Sequence, residues 1–345
     1  MHHNELRKDY LLNRWVVIAT ERARRPSDFV SEATEQPVGD NCPLCPGNEH
    51  MTPPAVLVYL KKDEGIIKEK DRKDFRHTNW LLRCIPNLYP AFSPPQSLDE
   101  QENIFKTENL GQAIGHHEVL VESPNHNDHP SNASISQLVN IINAYKDRML
   151  DLSSRPYVKY IQIFRNHGVK AGASLSHAHS QIIAMPFVPR IIANEIVACK
   201  EYADKNNKCA ICSIIENEQK SPRLIDISNH YVVFAPYASV HPLEFWIVPK
   251  KHSPNILDLN EFEVENLANT IKSCFKGLKD LVNDPPYNYV LHISLNEQER
   301  RYFHWHMEVY PALSTWAGFE KGTGTYINTI KPENAAEELR KAIKN

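Results

Sequence analysis

No run of about 18 apolar residues occurs in the 345-residue sequence, so no segment reads as a membrane-spanning helix. A dominant charge sign is also missing. Lys and Arg number 39 against 42 Asp and Glu, a net charge of -3. That balance gives no basis for nucleic acid or an anionic membrane as the main partner. The first residues, Met1-His2-His3-Asn4-Glu5, are polar where a secretory signal is apolar, and two histidines are too few for an affinity tag. An odd cysteine count, seven, without a secretory signal excludes a disulfide framework and makes the cytosol the expected compartment. No such staple is required, because a chain with 41% hydrophobic and 23% charged residues can bury a large core. The length allows two domains or one duplicated domain.

Four of the seven cysteines stand in two pairs, Cys42-Pro43-Leu44-Cys45 and Cys209-Ala210-Ile211-Cys212. Cys84, Cys199 and Cys274 are scattered through apolar or helical stretches. A Cys-x-x-Cys pair is a redox or a metal motif, and the redox form opens a helix after a buried strand. Cys45 is followed by the turn Pro46-Gly47-Asn48 instead, which favours metal.

Periodicity places the elements. Strands are expected over 15–19, 56–60, 80–85, 117–122 and 157–164, with a charged loop or hairpin over 61–76. A helix is expected from Ser134, because Ile135, Leu138, Val139, Ile142, Tyr145 and Met149 recur at three and four residues. The second half repeats the order. Strands are expected over 231–235, 243–248, 287–294 and 303–310, with a helix from Asn260 and a closing helix over 333–344. The spacings agree: His126 and His252 are 126 positions apart, and His177 and His304 are 127 apart. The pattern predicts an α+β fold of two duplicated halves, 1–195 and 196–345, each an antiparallel sheet with flanking helices.

Each half offers two thiolates and two imidazoles, the donor set of a closed tetrahedral zinc site. The first set is Cys42, Cys45, His126 and His177; the second is Cys209, Cys212, His252 and His304. The same order twice at nearly one spacing is a stronger signal than either pair alone. The plainer alternative is two buried reduced cysteine pairs with unrelated histidines. His116, His117 and His129 lie near His126 and are rival ligands.

Chemistry is expected at Gly172-Ala173-Ser174-Leu175-Ser176-His177-Ala178-His179-Ser180-Gln181, which runs into Ile182-Ile183-Ala184-Met185. As a strand it puts His177, His179 and Gln181 on one face. With His177 held by metal, His179 stays free. A neutral imidazole is a competent nucleophile toward phosphorus near pH 7 when its other nitrogen is held by an acceptor. Attack on the α-phosphorus of a nucleotide gives a covalent nucleotidyl-histidine. Gln181, Ser174 and the loop of Gly168 and Gly172 supply neutral donors for phosphoryl oxygens, and Arg22 and Arg25 supply charge. The plainer alternative is a strand with two surface histidines and a solvated basic cluster. In the second half His306 stands in the place of His179, with Glu308 where Gln181 would be, so that half reads as degenerate and structural.

These residues together resemble the galactose-1-phosphate uridylyltransferase family of the histidine-triad superfamily, from Asp9 to about Asn328. The family motif is Asn-x-Gly, then Gly-x-Ser, then His-x-His-x-Gln. It is matched by Asn166-His167-Gly168, Gly172-Ala173-Ser174 and His177-Ala178-His179-Ser180-Gln181. The family's Arg-x-x-Arg-Pro is matched by Arg22-Ala23-Arg24-Arg25-Pro26. The resemblance implies two histidine-triad-like halves, a homodimer, and a ping-pong exchange between UDP-glucose and galactose 1-phosphate in galactose metabolism. It implies His179 as nucleophile, His177 as zinc ligand, and Asn166, Ser174 and Gln181 on phosphate oxygens. Asn87 matches the asparagine after the family's second strand. Zinc is expected in both sets; iron is the family's alternative in the second, where two thiolates favour zinc.

Two departures point to a neighbouring branch. The best-known members carry Pro between the motif histidines, where this chain has Ala178. They also hold the hexose phosphate with a Lys-Phe…Tyr-Glu segment, where this chain reads Gly318-Phe319-Glu320-Lys321-Gly322-Thr323-Gly324. That resembles the branch containing ADP-glucose phosphorylase, which passes an adenylyl group to inorganic phosphate. Phe319, Gly322 and Gly324 are then the expected sugar-phosphate contacts, the glycines through backbone N–H groups. The main expectation is thus a UDP-glucose:galactose-1-phosphate uridylyltransferase, with an ADP-glucose phosphorylase and a zinc-stabilised nucleotide-binding protein without turnover as the alternatives.

Overall fold

The computed structural model describes residues 4–19, 29, 42–63 and 65–344. Arg22 and Arg25 lie outside the described residues. The described chain divides into two compact units. The first holds Cys42 to Arg165 together with Leu175–Pro189; the second holds the N-terminal strands, Asn166–Ser174 and the chain from Arg190 onward.

The N-terminal strands are β1 (Glu5–Lys8) and β2 (Trp15–Ile18), an antiparallel pair. Asp9 makes the turn between them by accepting from the N–H groups of Leu11 and Leu12.

The first unit contains β3 (Leu57–Lys62), β4 (Gly65–Glu69), β5 (Trp80–Pro86), α1 (Leu98–Glu102), β6 (Phe105–Thr107), β7 (Leu110–Gly111), β8 (His116–Val121), α2 (Ile135–Ser153), β9 (Tyr160–His167, of which the last two residues are assigned to the second unit) and β10 (His179–Met185). Here the strands neighbour one another in the order β9-β10-β8-β5-β3-β4, every pair antiparallel. The charged stretch after β3 is a hairpin, as its composition suggests. Ser134 caps α2 by accepting from the Gln137 N–H at 3.1 Å. The helix buries Leu138, Ile141, Ile142, Tyr145, Met149 and Leu152.

One charged pair crosses that apolar face. Arg148 on α2 donates twice to the Glu118 carboxylate of β8, both bonds 2.7 Å, with both side chains buried. Glu118→Ala would leave the buried Arg148 guanidinium only its 2.7 Å bond to Asp151 Oδ2, and we expect a loss of about 3 kcal/mol in urea denaturation. A loss under about 1 kcal/mol would contradict this account of the pair.

The second unit adds α3 (Arg190–Asn206), α4 (Ala210–Glu218), β11 (Leu224–Ile227), β12 (Tyr231–Phe234), β13 (Phe245–Pro249), α5 (Glu261–Val282), β14 (Tyr287–His292), β15 (His306–Pro311), α6 (Gly318–Thr323), β16 (Tyr326–Asn328) and α7 (Pro332–Lys344). Its strands neighbour in the order β11-β12-β13-β15-β14, again antiparallel, and β16 joins β2 in parallel. Asn260 and Glu263 close a reciprocal cap at the start of α5. Among the described residues no helix is long and apolar enough to cross a membrane.

The fold is α+β with two antiparallel, helix-flanked halves, as the repeat predicts. Several boundaries differ from the expected ones. The strand expected from 243 starts at Phe245, because Leu243 takes a left-handed φ of +60° that extended pairing does not accommodate. The strand expected over 157–164 runs over 160–167 instead, since Val158 is held in a turn by the Arg155 carbonyl. Both His-x-His strands start at their second histidine, His179 and His306, so the first histidine of each lies before the ladder. The one-face argument therefore holds for His179 and Gln181 and fails for His177. The chain around His177 is tied elsewhere: the Ala178 N–H donates to the His126 carbonyl, and the Ala178 carbonyl accepts from the Glu122 N–H.

Candidate active site and metal-ligand clusters

In the first unit β10 carries the candidate nucleophile. His179 Nδ1 lies 2.7 Å from the His177 carbonyl oxygen, an acceptor only, so Nδ1 carries the proton and donates. The lone pair is thereby left on Nε2, for which no hydrogen-bond partner is found among the described residues. Burial pushes the His179 imidazole down to about 4, which keeps it neutral near pH 7. The next residue, Ser180, faces the opposite way and accepts from the Tyr145 hydroxyl at 2.7 Å on α2. Gln181 returns to the His179 face, half-buried, with Oε1 2.8 Å from His117 Nε2. Asn87, after β5, places Nδ2 3.1 Å from the same ring nitrogen.

Cys42, Cys45, His126 and His177 converge below this strand, their donor atoms all within 4.8 Å of one another. Cys45 Sγ lies 3.3 Å from His126 Nδ1 and 3.4 Å from His177 Nδ1, and Cys42 Sγ lies 3.7 Å from His177 Nδ1. A tetrahedron with bonds of about 2.0–2.3 Å has edges of roughly 3.3–3.8 Å, so the set fits a zinc-sized ion. Each imidazole turns its other nitrogen to an oxygen. His177 Nε2 lies 2.9 Å from the Ser123 carbonyl, and His126 Nε2 lies 2.8 Å from Ser176 Oγ. Such outer bonds fix ligand tautomers. The rival histidines are engaged elsewhere: His116 with the Tyr157 hydroxyl, His117 with Gln181, and His129 with Arg165.

Within the second unit, Cys209, Cys212, His252 and His304 converge in the same way. Cys212 Sγ lies 3.5 Å from His252 Nδ1 and 3.4 Å from His304 Nδ1, and His252 Nε2 reaches the Arg300 carbonyl. This set too can hold a metal ion. His306 differs from its counterpart His179. Its Nδ1 faces the His304 carbonyl at 3.2 Å, and its Nε2 faces Glu308 Oε1 at 3.1 Å, so both nitrogens have acceptors. The Trp246 ring stacks on it at 4.8 Å. No lone pair faces open space there.

Asn166, Gly168 and Ser174 also belong to the second unit. Asn166 Oδ1 accepts from Asn288 Nδ2 at 2.8 Å, and Asn288 also donates to the Ala171 carbonyl. That orients the Asn166 amide with its NH2 directed away from Asn288. Gly168 has φ +78°, and a Cβ there would come within 2.9 Å of Pro286, so only glycine fits. Gly172 has φ +86°. Ser174 is exposed. Phe319 is half-exposed on α6, and Gly322 lies in the same helix. Gly324 has its N–H engaged: it donates to the Glu320 carbonyl at 2.9 Å and ends α6 with φ +67°. The Gly-Thr-Gly segment is thus a helix end, and the Gly324 N–H is not open to a phosphate in this conformation.

Three features escape the sequence reading. Arg165 is buried and pairs with the buried Glu122, beside His129. Asn288 holds Asn166. Glu195, His292, His306 and Glu308 form a buried cluster, all ligand atoms within 4.8 Å. Burial opposes charge on His292, but Glu195 and Glu308 outweigh it and raise the imidazole to about 9.

Comparison with known proteins agrees with this architecture. The family described as "Domain of unknown function (DUF4921)" matches residues 115–345. The ADP-glucose phosphorylase of Arabidopsis thaliana is 36% identical over 97% of this chain and 92% of its own. The galactose-1-phosphate uridylyltransferase of Thermotoga maritima is 29% identical over 97% of this chain and 98% of its own. The crystal structure of an Arabidopsis thaliana ADP-glucose phosphorylase with bound ADP-glucose superposes with a TM-score of 0.79 at 33% identity, covering 98% of this chain and 99% of that one. A uridylyltransferase structure gives 0.72 at 26% identity, covering 99% of each chain. The chain belongs to the galactose-1-phosphate uridylyltransferase-like family that includes the Arabidopsis thaliana ADP-glucose phosphorylase.

Proposed function

We propose that the protein is a nucleotidyltransferase working through a covalent nucleotidyl-histidine at His179. The observation that carries the reading is the fixed tautomer of His179, buried, neutral, and with Nε2 unengaged among the described residues. Its Nε2 lone pair forms a bond to the α-phosphorus of a sugar nucleotide, and the bond from that phosphorus to the sugar-phosphate oxygen breaks. The sugar 1-phosphate departs with the electron pair. A phosphate oxygen of the acceptor then attacks the same phosphorus, and the N–P bond breaks to return neutral His179. Gln181, Asn166 and Ser174 are the proposed donors to phosphoryl oxygens, with Asn87 and Gly168 near the nucleotide and Arg22 and Arg25 supplying charge. Phe319 and Gly322 are proposed for the sugar side, and Gly324, whose N–H closes α6, is not.

The donor and acceptor are proposed as ADP-glucose and inorganic phosphate. The 36% identity to an ADP-glucose phosphorylase, against 29% to a uridylyltransferase, supports that choice. So do Ala178 and the Gly318 to Gly324 segment. Exchange between UDP-glucose and galactose 1-phosphate is the second reading, favoured by the breadth of uridylyltransferase relatives. Each donor is to be offered with each acceptor. Release of ADP from ADP-glucose and phosphate supports the first reading; release of UDP-galactose from UDP-glucose and galactose 1-phosphate supports the second. Failure of all four combinations in metal-loaded protein would leave only a nucleotide-binding role.

Zinc is proposed in both Cys/His sets, because paired thiolates with two imidazoles suit it. When bound it supplies a tetrahedral cross-link and closes the site. The homodimer implied by the family is proposed as the working form. Cys209→Ser is expected to lower the melting temperature by several degrees while nucleotide affinity stays within about 2-fold, since this set lies in the half without an open histidine. An unchanged melting profile would count against a metal there.

A further inference from the structure

His117 reads in the sequence only as a rival metal ligand; the role its contacts give it rests on the proposed role of Gln181. An amide side chain has one face that accepts and one that donates. Near a phosphoryl oxygen only the NH2 face is useful. Something must decide which face Gln181 presents.

His117 lies on β8, and its ring makes two contacts that do not leave the choice open. Nδ1 lies 3.1 Å from the Ala91 backbone N–H. A backbone N–H only donates, so Nδ1 must carry the lone pair, and the proton of the neutral ring is on Nε2. That Nε2–H points at Gln181, 2.8 Å away, and requires an acceptor. Gln181 therefore turns Oε1 toward His117 and its NH2 the other way. The same logic reaches Asn87. Its Oδ1 accepts from the Tyr89 N–H at 2.9 Å, which leaves Nδ2 toward His117 Nε2 at 3.1 Å. Two donors face each other there, so Asn87 Nδ2 has no acceptor in that ring. No bond from Gln181 Nε2 is found among the described residues. One ring thus leaves two amide donors unengaged, one of them beside the candidate nucleophile on the same strand face.

We infer that His117 is a positioning residue: with its proton on Nε2 it holds the Gln181 amide so that the NH2 group faces the α-phosphoryl oxygen during attack by His179. Its ring contacts neither nucleophile nor metal set. Deleting it lets the amide turn over, which removes a transition-state donor without removing the binding site.

The test measures the rate of adduct formation in a single turnover, with ADP-glucose and UDP-glucose run separately. His117→Phe is expected to slow the step about 10-fold or more while donor Kd moves less than about 3-fold. His117→Gln keeps an N–H at that place and should recover most of the rate. Gln181→Ala should slow the step at least as much as His117→Phe, and the double variant should be no slower than Gln181→Ala alone. Imidazole 15N spectra should show His117 protonated on Nε2 with an unprotonated Nδ1. A His117→Phe variant with the wild-type rate, additive losses in the double variant, or a proton on Nδ1 would each overturn the inference while leaving the parent reading intact. Wild-type protein that forms no adduct with either donor overturns the parent reading, and this one with it.

Discussion

His179→Gln is expected to end turnover, with the rate of nucleotide transfer falling by at least about 10⁴-fold. A glutamine amide nitrogen has its electron pair delocalised into the carbonyl and does not attack phosphorus. The loss should be specific to chemistry, because an amide NH2 can replace the Nδ1–H bond to the His177 carbonyl. Metal content and melting temperature should therefore stay near those of the wild type, and sugar nucleotide should still bind. A folded, metal-loaded His179→Gln variant that retained transfer would show that another group forms the adduct.

The second large effect is expected from the first metal set. Cys42→Ser together with Cys45→Ser removes both thiolates and should cost about 3–5 kcal/mol in stability, less than the full binding energy of a structural zinc because the surrounding core remains. For a chain of this size the melting temperature should fall by roughly 5 °C. Activity should fall with it. With a metal ion held by the first set, the tie would run from that ion to His177, and it continues from the His177 carbonyl to His179 Nδ1 and so to the lone pair on Nε2. Releasing His177 frees the carbonyl that sets the tautomer. This links the two predictions and separates the two metal sets. Loss of the first should harm both stability and adduct formation; loss of the second should harm stability. Chelation followed by readdition of zinc checks the same point without mutation. Recovery of stability without recovery of adduct formation would contradict the link.

Much of the site was legible because its residues are of rare type at fixed spacing. Cys-x-x-Cys twice, each followed by two histidines at one interval, already grouped the ligands that converge in space. The helix from Ser134 and the helix from Asn260 were legible because their caps and apolar stripes are local. The turn that carries His177 off the strand was not, since alternation cannot reveal that Ala178 is tied to His126 and Glu122 from distant loops. Nor could the sequence pair Arg165 with Glu122, Asn166 with Asn288, or Glu195 with His292, because these partners are far apart along the chain. His117 was visible as a histidine near a metal set; its hydrogen bonds alone show that it serves the glutamine. Glycines at 322 and 324 predict open N–H groups, but the last of them closes a helix.

The most direct measurement is to trap the intermediate. Protein incubated with ADP-glucose, or with UDP-glucose, in the absence of an acceptor should gain one nucleotidyl group per chain and release glucose 1-phosphate. Peptide mapping under alkaline conditions, where a phosphoramidate survives, should place the group on His179, and 15N–31P coupling should assign it to Nε2. No adduct with either donor, or an adduct on any other residue, would contradict the account.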